Sequence, residues 1–262
     1  MATMIDESRL ELNGKGIHLR RADGGDDSYP LLFCLHGNLG SGRWFEPLMA
    51  AYPGRSIAPD LPNFGQSDHI GGWEIADYAR WAGQILHSLG ISSAAVLGHS
   101  LGGAVAMELA YQKPSLVRRL LLVDSSPVEG LITPKEHYPI IEAYKADKAV
   151  LAQALKTVVP TLEDEAQFAA LVDDAWAMNR DCFIGHAETL GTADFREKLA
   201  GLATPVDVFY GSEDILINDE RAGATAAFFS TEAIRFENCG HSPMVEQPAR
   251  FAETIRDILS GA

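Results

Sequence analysis

The fold is decided by the stretch Ala94-Ala95-Val96-Leu97-Gly98-His99-Ser100-Leu101-Gly102-Gly103-Ala104. It begins as an apolar run typical of a buried strand and ends in small residues typical of a helix packed against a sheet. Between them lies a Gly-x-Ser-x-Gly turn, in which Gly98 and Gly102 leave space that side chains would fill. The N-terminus of the following helix offers free N–H groups to an oxyanion formed at Ser100. The sequence therefore predicts that Ser100 is a nucleophile.

Apolar runs of strand length flank this stretch and alternate with helical patterns. Such continuous runs are typical of strands buried on both faces of a parallel sheet. They lie at residues 31–35, 56–58, 120–124, 205–210 and 233–236, and two shorter strands surround the turn Asn13-Gly14. This alternation predicts an α/β fold with a doubly wound, mostly parallel sheet.

The alternation stops between residues 126 and 200, where only helical patterns occur. Thr133, Asp147 and Thr161 each precede such a pattern and are expected to cap its N-terminus, Thr133 through a capping box with Glu136. The sequence thus predicts a core of residues 1–125 and 201–262 with a helical cap, residues 126–200, inserted into it. The apolar side chains of the cap suggest an apolar substrate, unless they only hold the cap together.

Composition excludes several classes of function. The 262 residues carry a formal net charge of −15, which disfavours nucleic acid and anionic membranes as partners. The three cysteines are widely separated and form no disulfide framework or zinc motif. No His-x-x-x-His set indicates a metal site, and the glycines after His36 lack the lysine of a phosphate-binding loop. With neither a signal peptide nor a membrane-spanning run, a cytoplasmic location is expected.

A serine nucleophile needs a base, and the base needs an orienting acid. Functional side chains of open α/β sheets follow the carboxyl ends of the strands, where Asp214 and His241 occur. The chain order Ser100, Asp214, His241 is the one expected for this topology. Asp124 also follows a buried strand and is an alternative acid.

Five motifs resemble those of the α/β-hydrolase family and together extend from residue 31 to the C-terminus, apart from the cap. They are Gly98-His99-Ser100-Leu101-Gly102-Gly103, His36-Gly37-Asn38, Asp60-Leu61-Pro62-x-Phe64-Gly65-x-Ser67-Asp68, Gly211-x-x-Asp214 and Cys239-Gly240-His241. Within that family, the sequence is most similar to small carboxylesterases.

The resemblance implies Ser100 as nucleophile, His241 as base and Asp214 as acid. It also implies an oxyanion hole formed by the backbone N–H groups of Asn38 and Leu101, with Leu39 as an alternative to Asn38. The other seven histidines are expected to have structural or peripheral roles. His36 is expected to hold the oxyanion loop, His99 to pack beside the serine, His137 and His186 to be candidates for the substrate pocket, and His18, His69 and His87 to lie at the surface.

We therefore predict a serine hydrolase that cleaves a small carboxylic ester, lactone or thioester through an acyl-enzyme, with no cofactor and no metal. Carbon–carbon bond hydrolases and acyl-homoserine lactonases use the same triad and remain alternatives. A ligand receptor without catalysis on the same fold is a third possibility, because a fold alone does not determine function. Neither the substrate nor the oligomeric state follows from the sequence.

Overall fold

The computed structural model describes residues 3–260, which form one eight-stranded sheet and ten α-helices. The strands are β1 (Ile5–Leu12), β2 (Lys15–Asp23), β3 (Leu32–Leu35), β4 (Arg55–Pro59), β5 (Ala94–His99), β6 (Val117–Val123), β7 (Val206–Gly211) and β8 (Ala233–Phe236). The helices of the sheet domain are α1 (Glu46–Ala51), α2 (Ile75–Ser88), α3 (Leu101–Gln112), α8 (Asp219–Phe228), α9 (Pro243–Glu246) and α10 (Pro248–Leu259).

The strand order is β1-β2-β4-β3-β5-β6-β7-β8. Strands β1 and β2 form an antiparallel hairpin, and β2 pairs with β4 in the antiparallel direction. All other neighbouring pairs, from β4 to β8, are parallel. Because parallel crossovers are right-handed, α1 packs on one face of the sheet and α2 and α3 on the other. The predicted α/β fold with its mostly parallel sheet is confirmed.

The central strands β3 and β5 are mostly apolar because both of their faces are covered by helices. All six residues of β5 and all four of β3 are buried. Winding reverses at this pair, where β3 and β5 lie side by side although β4 comes between them in the chain. Loops that leave the carboxyl ends of such a pair border a crevice, and the motifs around His36 and Ser100 lie there.

Four helices lie between β6 and β7, as expected for an inserted cap. They are α4 (Tyr138–Ala146), α5 (Lys148–Val158), α6 (Glu165–Trp176) and α7 (Cys182–Thr192). The boundaries at residues 126 and 200 remain a prediction. In the described part of the chain, no helix is long and apolar enough to cross a membrane.

Only one of the three expected helix caps of this insertion is present. Asp147 accepts a hydrogen bond from the Ala149 N–H at 2.8 Å and caps α5. Thr133 caps no helix, because Pro134 is extended and α4 begins only at Tyr138, where a second proline suits the first turn. α6 is capped by the side chain of Asp164.

Thr161 was the expected cap of α6, but its hydroxyl is engaged elsewhere. It donates to Glu246 Oε2 at 2.7 Å and thereby joins the insertion to α9. The side chain is therefore not available to the helix three residues later.

Candidate active site

Ser100 occupies a strained turn between β5 and α3. Its φ of 53° and ψ of −118° lie in a region that L-residues rarely adopt, as expected for a nucleophile presented on a sharp strand-to-helix turn. A hydrogen bond from its N–H to the Val123 carbonyl, 3.1 Å long, holds this backbone against β6. A Cβ at Gly98 would collide with the Gly102 carbonyl, and one at Gly102 with the Leu35 carbonyl, so glycine is required at both positions.

His241 and Asp214 meet at the carboxyl ends of β8 and β7. His241 Nδ1 lies 2.7 Å from Asp214 Oδ2, and both side chains are buried. The second oxygen, Asp214 Oδ1, accepts the Leu216 N–H at 2.7 Å. Since Nδ1 is occupied, Nε2 is the ring nitrogen of His241 that remains for proton transfer. Within residues 3–260 no hydrogen bond joins His241 to the Ser100 hydroxyl, a bond that often tightens only with substrate present.

Asp124 lies beside this pair but does not hydrogen-bond to His241. Its Oδ1 accepts the Gly211 N–H at 2.9 Å, and the residue is completely buried. Burial and the nearby carboxylate of Asp214 raise the pKa of Asp124 well above its usual range. Burial also acts to raise the pKa of Asp214, but the charge and hydrogen bond of His241 outweigh it and the net pKa is lowered.

The loop after β3 has a defined backbone orientation next to Ser100. A Cβ on Gly37 would lie 2.9 Å from the Ser100 Cβ, so the loop passes directly against the serine. His36 Nε2 accepts the Leu61 N–H at 2.9 Å, which leaves its Nδ1–H to donate to the Gly37 carbonyl at 2.9 Å. Gly40 donates to the same carbonyl. The Asn38 N–H belongs to that peptide plane and therefore points away from the two donors.

This arrangement distinguishes between the two loop residues expected to donate to an oxyanion, Asn38 and Leu39. The Leu39 N–H is already used, because it donates to Asn38 Oδ1 at 3.0 Å. In the part of the chain that the structure describes, the N–H groups of Asn38 and Leu101 have no hydrogen-bond acceptor. Asn38 and Leu101 are thus the pair available to an oxyanion.

The loop that carries His241 is fixed from three directions. The His241 N–H donates to the Val158 carbonyl at the end of α5, and its carbonyl accepts from His99 Nε2, both at 2.8 Å. Glu246 accepts the N–H groups of Gly240 and Ser242 at 3.0 Å each. His99 is buried beside the serine as expected, and burial lowers its pKa to about 3.

His186 connects the insertion to the oxyanion loop. This completely buried side chain of α7 donates from Nδ1 to Asn38 Oδ1 at 2.8 Å. Its Nε2 accepts from the Tyr78 hydroxyl, also at 2.8 Å, and its ring stacks on Phe64. Burial lowers the pKa of His186 to about 3, so the imidazole is neutral and has one donor and one acceptor nitrogen. His186 was a candidate for the substrate pocket, but in the structure it is completely buried and connects Asn38 to Tyr78.

Other expectations about single residues need correction. His18 was expected at the surface, but it is buried and lies 3.2 Å from Asp60 Oδ2. Asp68, the last residue of the motif that begins at Asp60, joins that loop to the β1–β2 hairpin, because its Oδ2 accepts the Gly16 N–H at 2.7 Å. His137 is exposed on a 3₁₀ turn before α4.

The apolar residues of the insertion give little support to an apolar substrate. Leu151 and Leu155 are buried in the hydrophobic core, and Trp176 is covered by the Arg180 guanidinium, 3.7 Å from the ring centre. Ile140 instead points to solvent. The contacts of Leu151, Leu155 and Trp176 are packing contacts within the insertion, and the apolar substrate remains a prediction.

One cluster of potential metal ligands occurs among the described residues. It comprises Asp124, Asp214 and His241, whose ligand atoms lie within 4.8 Å of one another. Because His241 Nδ1 and Asp214 Oδ2 already bind each other, these two atoms are engaged in a hydrogen bond. The prediction that the protein needs no metal is not tested by this geometry.

The chain matches the alpha/beta hydrolase family over residues 32–254. It belongs to the α/β-hydrolase family. A curated relative, the pimeloyl-[acyl-carrier protein] methyl ester esterase of Yersinia pseudotuberculosis serotype IB, is 28% identical over 86% of this chain and 91% of its own.

Solved structures of other α/β-hydrolases share the fold. An esterase from Exiguobacterium antarcticum has a TM-score of 0.87 at 19% identity and covers 97% of this chain and 99% of its own. The enol-lactonase from Burkholderia xenovorans LB400 has a TM-score of 0.83 at 20% identity and covers 97% and 100%. At these identities the likeness establishes the α/β-hydrolase fold alone.

Proposed function

We propose that this α/β-hydrolase is a serine hydrolase that cleaves a small carboxylic ester, lactone or thioester without a cofactor. The observation that carries the proposal is the 2.7 Å contact between His241 Nδ1 and Asp214 Oδ2 in a sheet whose strand β5 ends in a serine on a strained turn. An α/β-hydrolase relative named as a methyl ester esterase supports the ester class. The thioester and lactone classes share the same acyl chemistry.

In the proposed mechanism, His241 takes the proton of the Ser100 hydroxyl as the serine oxygen attacks the substrate carbonyl. Asp214 keeps the imidazole in the required tautomer and stabilises the imidazolium. The free N–H groups of Asn38 and Leu101 stabilise the tetrahedral oxyanion. His241 then returns the proton to the leaving group, and water cleaves the acyl-enzyme by the same steps in reverse.

The test is covalent labelling with a fluorophosphonate together with turnover of an ester series graded by acyl length. Ser100→Ala is expected to abolish labelling and to lower turnover by roughly 10⁴-fold or more, because the nucleophile is removed. Ser125→Ala is the matched control. Ser125 is also buried, and it packs against Gly103 of α3, the helix that follows Ser100. A folded wild-type protein that neither labels nor turns over any ester or lactone would contradict the proposal and favour a receptor.

A further inference from the structure

Asp124 is a buried carboxyl group that has no role in the proposed mechanism. It follows β6 with a φ of 41°, in the left-handed region that few residues other than glycine adopt, and its side chain is buried in the interior. One oxygen, Oδ1, accepts the Gly211 N–H. The other, Oδ2, is enclosed and has no donor within reach in the described structure.

The groups that face Asp124 come from three neighbouring segments. Asp214 lies on the loop after β7, His241 and Cys239 on the loop after β8, and Glu246 on α9. None of these side chains is a lysine or arginine that could neutralise a second carboxylate. A carboxylate oxygen of Asp214 lies within 4.8 Å of one of Asp124.

Two carboxylates in contact inside a protein cannot both remain ionised, because their repulsion is not screened there. A hydrogen bond between them requires that one of them carries a proton. Asp214 already accepts from Leu216 N–H and from His241 Nδ1, so its charge is stabilised by two donors. Asp124 accepts from Gly211 only. The number of donors therefore assigns the proton to Asp124.

We propose that Asp124 is a protonated carboxylic acid that donates a hydrogen bond to Asp214 and thereby orients that carboxylate towards His241. The directions of the two pKa shifts, upward for Asp124 and downward for Asp214, agree with this assignment. Asp124 is then a positioning residue that acts through Asp214. Its positioning role rests on the proposed function, whereas the location of the proton does not.

Asp124→Asn is the decisive variant, because an amide is nearly isosteric with a protonated carboxyl group. Its oxygen can accept the Gly211 N–H, and its NH₂ group can donate to Asp214. An acid whose pKa is raised on folding stabilises the fold fully below its unfolded pKa, and this contribution is lost as the pH rises. Above the unfolded pKa, the wild-type protein must keep or regain this proton in order to fold, which costs stability. An amide does not ionise and avoids that cost, so Asp124→Asn is expected to raise the unfolding temperature at about pH 7.5 by about 3 °C or more. This gain disappears near pH 4.

Asp60→Asn is the matched control of opposite sign. Asp60 is equally buried, but Arg20 and backbone N–H groups hold it ionised, with a pKa of about 2. Its replacement is expected to lower the unfolding temperature at about pH 7.5. If Asp124→Asn lowers it as well, the proposed proton on Asp124 is wrong.

Infrared difference spectroscopy provides a readout that depends on neither folding stability nor substrate. Wild-type protein at neutral pH is expected to show the carbonyl stretch of a protonated carboxylic acid, and Asp124→Asn is expected to remove that band. Absence of the band from the wild type overturns the proposal even if the variant fails to fold.

Turnover tests the positioning role separately. Asp124→Asn is expected to keep activity within about tenfold, whereas Asp124→Ala loses at least another tenfold because Asp214 lacks its donor. The midpoint of the acid limb of the kcat/KM profile is expected to be unchanged in Asp124→Asn. A downward shift of about one pH unit or more would reveal an ionised Asp124 in the wild type and would overturn the proposal.

Discussion

In the proposed mechanism, the Asp214 carboxylate determines which nitrogen of His241 acts as base. With Oδ2 at 2.7 Å from Nδ1, the ring is held in the tautomer that leaves Nε2 unprotonated. An amide at this position can present its NH₂ group to Nδ1 and favour the opposite tautomer. Asp214→Asn is therefore expected to lower turnover by about 10⁴-fold without unfolding the protein, as measured by steady-state kinetics and circular dichroism.

Asp207→Asn is a suitable control for that variant. Asp207 lies near the start of β7, the strand that leads to the Asp214 loop, and pairs with Arg119 at 2.6 Å. We expect this change to leave turnover within about twofold, since the pair contacts none of the proposed catalytic groups. A similar loss of activity in both variants would indicate a general defect of β7 and would count against Asp214 as the orienting acid.

Sequence position alone could not separate Asp214 from Asp124, because both follow buried strands. The structure shows what Gly211 contributes to the motif Gly211-x-x-Asp214. A Cβ there would collide with the Gly240 and Cys239 carbonyls, so Gly211 allows β7 and the His241 loop to approach closely. Such a contact joins residues far apart in the chain, and a local pattern carries no sign of it.

At the scale of elements, α7 supplies a side chain to the site that the sheet domain cannot supply itself. His186→Phe retains the ring that stacks on Phe64 but removes the hydrogen bonds to Asn38 and Tyr78. The two polar groups left without their partner should destabilise the fold by roughly 2–4 kcal/mol. Because the Asn38 side chain loses its anchor, kcat should also fall, by roughly tenfold or more, in ester turnover assays.

His137→Phe tests whether that effect is specific to the buried histidine. His137 also belongs to the insertion, but it is exposed and lies on a 3₁₀ turn. Its replacement is expected to change neither the free energy of unfolding nor kcat appreciably. Unaltered kcat in His186→Phe would mean that the oxyanion loop holds its geometry without α7.

Elements with a strong local pattern could be predicted, and those without one could not. β3, β5 and β6 were foreseen because runs of apolar residues suit strands covered on both faces. α7 was missed because seven of its eleven residues are buried, which leaves no amphipathic stripe to recognise. The cap of α6 was misassigned because Thr161 makes a tertiary hydrogen bond to Glu246.

For the whole molecule, one buried ion pair joins the N-terminal hairpin to the loops around the site. Asp60 accepts from Arg20 Nη1 at 2.9 Å and from the N–H groups of Gly42 and Gln66 at 2.7 and 2.9 Å. Although burial would raise its pKa, the hydrogen bond from His18 and the charge of Arg20 lower it from 3.8 to about 2. Asp60 therefore stabilises the fold at neutral pH through its charged form.

The sign of this shift fixes the pH range in which the stabilisation is lost. A carboxyl group with a lowered pKa contributes stability above its unfolded pKa and loses it as the pH falls through the folded value. Asp60→Asn is thus expected to reduce the free energy of unfolding by about 2 kcal/mol near pH 7 and by progressively less between about pH 4 and pH 2. Urea unfolding at several pH values measures this difference, and a deficit that does not change with pH would contradict the expectation.

The contacts between the insertion and the site limit how this enzyme scaffold can be re-engineered. The His241 N–H binds the end of α5, and Asn38 binds α7, so the insertion supplies a partner to both the base loop and the oxyanion loop. A cap transplanted from a relative to change substrate preference would remove both partners together. Successful exchange would have to retain a carbonyl opposite His241 and a donor opposite Asn38, whatever the rest of the grafted segment contains.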